Sequence, residues 1–215
     1  MYEFVRGPLA LIAFIVFFAG SIYRIAYMLK GARKDKIVFP HMSWKHSLAS
    51  LVHWLIPFNN QYMRRRPIFT VVTFAFHICL VIGPLLLLGH VILIEESWNI
   101  SWWTLSETVV DWMTVVVIAG AGFFLYRRLS DPVVKNVTDS SDYILLAITV
   151  LPFITGFVAY HQLFAYKTML IIHILAGEVM LIAIPFTRLS HMLFFAFTRT
   201  YYASEAGLVR HSKDW

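Results

Sequence analysis

Along this chain, charged and polar positions gather into short stretches that separate long apolar runs. Five runs reach the length an α-helix needs to cross the hydrocarbon core of a bilayer, roughly residues 9–29, 68–94, 108–126, 143–160 and 168–189. The pattern predicts an all-α integral membrane protein, a five-transmembrane-helix bundle forming a single domain over residues 1–215. The first run is too long for a signal peptide, has no small-residue cleavage site, and is followed by Lys30, Arg33, Lys34 and Lys36, so it is expected to stay as an anchor. Between the first two runs, Leu48–Leu55 is amphipathic and ends before Pro57, which predicts an interfacial helix lying along the membrane surface. No internal repeat or low-complexity stretch interrupts this plan.

Basic residues orient the spans. The loop after the first span carries Lys30, Arg33, Lys34, Lys36, Lys45, Arg64, Arg65 and Arg66, and the loop after the third carries Arg127, Arg128 and Lys135. The tail adds Arg188, Arg199, Arg210 and Lys213, whereas residues 95–107 hold no Lys or Arg and the loop before the fifth span holds only Lys167. The N-terminus is therefore expected outside and the C-terminus in the cytoplasm. Composition agrees with a membrane protein, at 59% hydrophobic, 14% charged and 16% aromatic residues and a mean hydropathy of +0.69. The net charge of +6 suggests nucleic acid or acidic partners only until its placement beside apolar runs is seen; no nucleic-acid partner is expected. Trp98, Trp102 and Trp103 read as an interfacial belt or a docking face.

A lone cysteine, Cys79, cannot bind an iron–sulfur cluster, attach a c-type haem or form an internal disulfide, so any redox centre here must be held by histidine. His173 and His191 lie eighteen residues apart. On one continuous helix that is five whole turns, placing both on one face about 27 Å apart, close to the thickness of the hydrocarbon core. His77 and His90 in the second span lie thirteen residues apart, about 20 Å on a straight helix. With antiparallel spans, His77 falls level with His191 on the cytoplasmic side, and His90 level with His173 on the outer side. Two bis-histidine haems b, one per leaflet, are expected from these pairs. Thirteen residues do not return to the same helix face, so a kink at Gly83-Pro84 is expected to correct the phase. A single intramembrane histidine is as often a hydrogen-bonded interior residue; four at matched depths in two spans favour ligation. His41, His46 and His53 read as solvated or interfacial.

Other polar residues admit two readings each. Arg188 and Arg24 pair with haem propionates or snorkel to the inner surface. Glu178 is a proton carrier for a quinone or a protonated packing residue. His161, Gln162 and Lys167 line a quinol pocket or are ordinary polar loop ends.

Gly20, Ser21 and Arg24, then Arg127-Arg128-Leu129, Pro132, Val134, Thr138, Asp142 and Ile144-Leu145, and above all His173 with Pro185-Phe186-Thr187-Arg188-Leu189-Ser190-His191, resemble the gamma (cytochrome b) subunits of respiratory nitrate reductases. The resemblance implies that His173 and His191 are axial ligands of two haems b, with His77 and His90 their partners. The spacing in the second span is wider than in that family. Together with the basic inner loop containing residues 54–58 (WLIPF) and 63–67 (MRRRP), this is closer to the cytochrome b subunits of transmembrane redox complexes of sulfate-reducing prokaryotes. That resemblance implies a cytoplasmic iron–sulfur partner related to heterodisulfide reductase, and a periplasmic multihaem cytochrome c or the quinone pool as the other partner, with menaquinone as a candidate cofactor. The expected role is electron transfer across the cytoplasmic (inner) membrane of a prokaryote. The chain would be an electron-transfer subunit of an oxidoreductase complex, with quinol oxidation or quinone reduction left open. The alternatives are a nitrate reductase gamma subunit or another quinol-linked oxidoreductase, and a haem-free membrane anchor.

Overall fold

The computed structural model describes residues 1–213. Among these residues all regular structure is helical. The principal helices are α1 (Tyr2–Ala32), with a π-helical turn at Val5–Leu9 around Pro8, α2 (Trp44–Leu55), α3 (Pro67–Leu86) and α4 (Leu88–Trp98). They are followed by α5 (Glu107–Ser130), α6 (Ser140–Tyr160), α7 (Tyr166–Phe186) and α8 (His191–Ser204). Five of them, α1, α3, α5, α6 and α7, are long and apolar enough to cross a membrane, and their exposed side chains include Ile15, Ile22, Ile78, Leu151 and Val179. Such outward apolar surfaces suit lipid as solvent. The chain is a multi-pass membrane protein.

Local chemistry sets the helix ends. Pro67 opens α3, where its missing N–H is not needed. Asp139 caps α6, its carboxylate accepting from the Ser141 amide at 2.7 Å, while Asp142 reaches back to the Asp139 amide at 3.0 Å. Arg128 fastens that turn, 3.4 Å from Asp142 and 3.3 Å from the Thr138 hydroxyl.

Packing groups the described residues into two compact units, one of Met1, Glu3–Thr70 and the described residues from Glu178 onward, the other of Tyr2 and Val71–Gly177. In the second, Phe76 of α3, Val117 and Ala121 of α5 and Phe153 of α6 form a buried cluster, with Cys79, Leu80 and Phe124 against it. A Cβ on Gly120 would stand 2.9 Å from the Phe76 ring, so the close approach of α5 to that ring needs a glycine. Cys79 is thus a half-buried residue beside this core.

In the first unit, Gly20 does the same for α1, where a Cβ would stand 2.8 Å from Phe186 and 2.9 Å from Pro185. Helices α2 and α8 pack antiparallel along small residues. The Ser43 amide donates to Ser204 Oγ at 3.1 Å, and the Arg199 guanidinium lies 4.1 Å from the Trp54 ring centre. The Tyr201 hydroxyl of α8 donates to Asp35, which also accepts from the Ile37 and Val38 amides. These bonds hold the Asp35 carboxyl below the usual carboxylate range, the Tyr201 bond first among them, and the Asp35 carboxylate pushes the Tyr201 hydroxyl up to about 12. Both shifts favour the pair as carboxylate and neutral phenol. Its contribution is therefore full near neutrality, is lost on the acid side as pH falls through the lowered Asp35 value, and is lost on the alkaline side as pH rises from about 10 toward 12. Asp35→Asn is expected to flatten the alkaline limb of a pH–melting-temperature profile in detergent, and an unchanged limb would show the pair contributes nothing there.

Two expectations are corrected. The second span does not run to residue 94: α3 stops at Leu86, Leu87 is extended (φ −73°, ψ 125°), and α4 starts afresh. The break at Leu87 changes the phase between His77 and His90, and α3 itself continues through Gly83-Pro84. Nor does one helix carry both His173 and His191. Helix α7 stops at Phe186, Thr187 is extended (φ −124°, ψ −174°), and after a 3-10 turn at Arg188–Ser190 His191 opens α8. Pro185 cannot donate to the carbonyl of Leu181, and the Thr187 hydroxyl accepts from the Leu189 amide at 3.2 Å, starting a new turn. The five-turn register therefore does not describe this segment. The amphipathic segment read at Leu48–Leu55 is helical and begins earlier, at Trp44.

Candidate haem-ligand site

The break at Leu87 would leave carbonyls at the end of α3 without donors. Each finds one. Pro84 O accepts from His90 Nδ1 at 2.8 Å, Leu85 O from the Trp102 indole Nε1 at 2.7 Å, and Leu86 O from the Leu105 amide at 3.0 Å. Asn99, left-handed at φ 56°, ends α4 and turns the chain back so that residues 100–105 reach these carbonyls. His90 is thereby pinned in the first turn of α4.

His173, on α7, is pinned by α6. Its Nδ1 donates to Pro152 O at 2.9 Å, and its ring lies against the backbone at Gly156, where a Cβ would come within 2.9 Å of Cε1 and 3.1 Å of Nδ1. The two imidazoles face one another with centres 5.9 Å apart and planes 12° from parallel. A carbonyl can only accept, so each Nδ1 carries the proton and each Nε2 keeps its lone pair. With metal–nitrogen bonds of about 2.0 Å and about 1.1 Å from nitrogen to ring centre, two axial imidazoles of one ion stand about 6.2 Å apart. The observed separation is close to that.

His77, in mid-α3, donates from Nδ1 to Thr73 O at 2.7 Å beside the Phe76 ring, and is exposed. His191, also exposed, donates from Nδ1 to Arg188 O at 2.8 Å. Both have the same tautomer as the first pair, with the second-neighbour carbonyl bond that orients metal-binding histidines. His77 belongs to the second unit and His191 to the first. His53 makes an equivalent bond to Ala49 O at 2.7 Å, so the tautomer alone does not nominate a ligand. A facing imidazole does, and His90 and His173 supply one to each other.

The remaining candidates are placed as follows. Arg24 has a buried Nε with no hydrogen-bond partner. Glu178 is 5% exposed, and neither carboxyl oxygen has a partner. Arg188 opens the 3-10 turn that precedes His191. His161 Nε2 donates to Asp111 at 3.0 Å, and its ring centre lies 4.3 Å from that of Phe157, while the Tyr160 hydroxyl donates to Glu107 at 3.3 Å. With its Nε2 donating to Asp111, His161 is a polar partner of α5. Lys167 is exposed in the first turn of α7. Pro152, Gly156 and Leu87 were not singled out by sequence, and Trp102 was read only as part of an interfacial belt or a docking face. A small residue four positions after a proline in an apolar run was the available signal for the α6 seat.

Among the described residues no group of three or more His, Cys, Asp or Glu forms a metal-ion cage. An axial haem pair needs only two. The residues fit a haem b on two counts: two neighbouring imidazoles that each keep an Nε2 lone pair, and the glycine seat behind His173.

The fold and its histidines define an all-helical, multi-pass membrane protein with a paired-imidazole site. A protein of Nitratidesulfovibrio vulgaris (Hildenborough), described only as "Protein", is 37% identical over 204 residues, covering 93% of this chain and 90% of that one. The chain belongs to the same family as that protein. No family model matches the chain, and no solved structure matches it.

Proposed function

We propose that this chain is a membrane cytochrome b subunit that passes electrons across the cytoplasmic membrane of a prokaryote through two bis-histidine haems b. The observation that carries the reading is the His90–His173 pair, with parallel rings, an ion-width separation and both Nδ1 protons engaged by proline carbonyls. Each bound haem supplies a one-electron Fe(III)/Fe(II) couple. The chain's own part is to hold neutral imidazoles in fixed tautomers, bury them, and offer Arg24 and Arg188 to propionates. His77 and His191 hold the second haem in this reading, on the grounds of their sequence positions and shared tautomer.

The distribution of basic residues supports an N-terminus outside and a second haem on the cytoplasmic side. Exposed Trp44, Leu48, Val52 and Leu55 recur along one side of α2 and suit an interfacial position. A cytoplasmic iron–sulfur subunit, like those related to heterodisulfide reductase, docks on the basic inner surface, and menaquinol or a periplasmic multihaem cytochrome c exchanges electrons at the outer site. Glu178, His161 and Lys167 are the residues placed to serve protons if a quinone reacts here.

A pyridine haemochrome assay on the purified chain, normalised to protein, tests this. About two haems b per chain are expected. One would remove the His77/His191 half of the reading, and none after expression with ample haem would leave a haem-free anchor.

A further inference from the structure

The sequence leaves Trp102 among three tryptophans of an ordinary interfacial loop. In the structure it differs from Trp103, which is 69% exposed, because its indole N–H is spent on Leu85 O. That carbonyl sits between Pro84 O, which orients His90, and Leu86 O, which binds the Leu105 amide. Three consecutive carbonyls at a broken helix end are thus divided among three donors, one of them the candidate ligand.

If the indole donor is absent, Leu85 O is left without its partner beside the Pro84–His90 bond. An unpaired carbonyl near hydrocarbon is costly, so the broken end will rotate to recruit another donor. His90 Nδ1–H is the mobile one within reach of that turn. Any such exchange changes both the direction of the His90 plane and the strength of its Nδ1–H bond.

We propose that Trp102 is a positioning residue for the outer haem. Its indole N–H holds the end of α3 so that Pro84 O fixes the plane and basicity of His90. This rests on the cytochrome b reading above. Two consequences follow from ligand-field chemistry. Parallel axial imidazoles split the two iron orbitals that interact with them, so the 12° angle predicts a rhombic low-spin ferric signal and not the highly anisotropic one given by crossed rings. A firm Nδ1–H bond makes the imidazole more basic and favours ferric iron, so weakening it raises the midpoint potential.

The experiment compares the holoprotein with Trp102→Phe, Trp102→Gln and Trp103→Phe, by haemochrome content, low-temperature EPR and redox titration. Trp102→Phe is expected to raise the potential of one haem and to broaden or shift its rhombic signal, leaving the other haem unchanged. Trp102→Gln restores an N–H three bonds from Cβ, as in tryptophan, and is expected to return both readouts toward the parent, while Trp103→Phe matches the parent throughout. If Trp102→Phe does not accumulate, Trp102→Gln alone decides: a parent-like signal and potential support the N–H role. A Gln variant that accumulates with both readouts shifted overturns it. Trp102→Phe with two haems and unchanged EPR and potentials likewise overturns the proposal. A parent protein without haem fails at the haemochrome step and overturns the cytochrome reading instead.

Discussion

Replacing His173 by alanine is expected to remove one of two b-type haems and leave the second in place. The His90–His173 pair has centres 5.9 Å apart, and each imidazole has only its Nε2 lone pair to give, since both Nδ1 atoms donate to proline carbonyls. In the proposed site a haem iron would then have a single protein ligand, and the space opened lies against Gly156, which has no side chain to replace it. Haem content should fall from about two to about one per chain, with loss of one component from the reduced-minus-oxidised spectrum. His90→Ala should remove the same component, and His191→Ala the other. A His173→Ala protein with both b-type signals intact would refute the ligand assignment. So would His90 and His173 variants that lose different components.

The spans were legible because lipid imposes a length that few other constraints imitate. Each of the five apolar runs contains a membrane-length helix, and the errors lie at helix ends and at a break inside the second run. Helix α1 is longer than the run read at 9–29, extending over Tyr2–Ala32, because helix geometry does not require every residue to be apolar. The break at Leu87 lay inside an unbroken apolar stretch and is held by donors from residues 102 and 105, so no local pattern announces it. The break at Thr187 is different. A threonine two residues after a proline, followed by Arg188 and Ser190, is a capping signal, outweighed in the reading by the attraction of an eighteen-residue spacing.

The same division holds for the site. That His90 and His173 belong together followed from counting spans and their directions. How they are held did not, because Pro152 and Gly156 act from a different helix and Pro84 acts only once α3 has ended. The thirteen-residue gap spans two helical pieces with an extended residue between them. Lys167 and His161 were read as possible quinol-pocket residues. His161 turns out to be bonded to Asp111, which gives it a partner and a fixed proton position.

The seat behind His173 yields the second large effect. A Cβ at Gly156 would lie 2.9 Å from Cε1 of the ring, closer than such carbons approach in folded proteins, and 3.1 Å from Nδ1, which is tight. The imidazole can retreat only by stretching its bond to Pro152 O, now 2.9 Å, at a cost of about 1 kcal/mol before any loss of ligation. Changes to groups that orient a ligand weaken metal-site affinity by roughly 10–100-fold, and Gly156→Ala is expected in that range, read as one haem leaving at lower concentrations of a competing apo-protein. Gly156→Leu adds a branched side chain to the same point and should empty the outer site while sparing the other haem. Gly122→Ala is the matched control, because a Cβ there meets nothing within 4 Å. A Gly156→Leu protein with a full haem complement and an unaltered spectrum would mean that His173 is not held against α6 as described, and the paired-imidazole site would have to be abandoned with it.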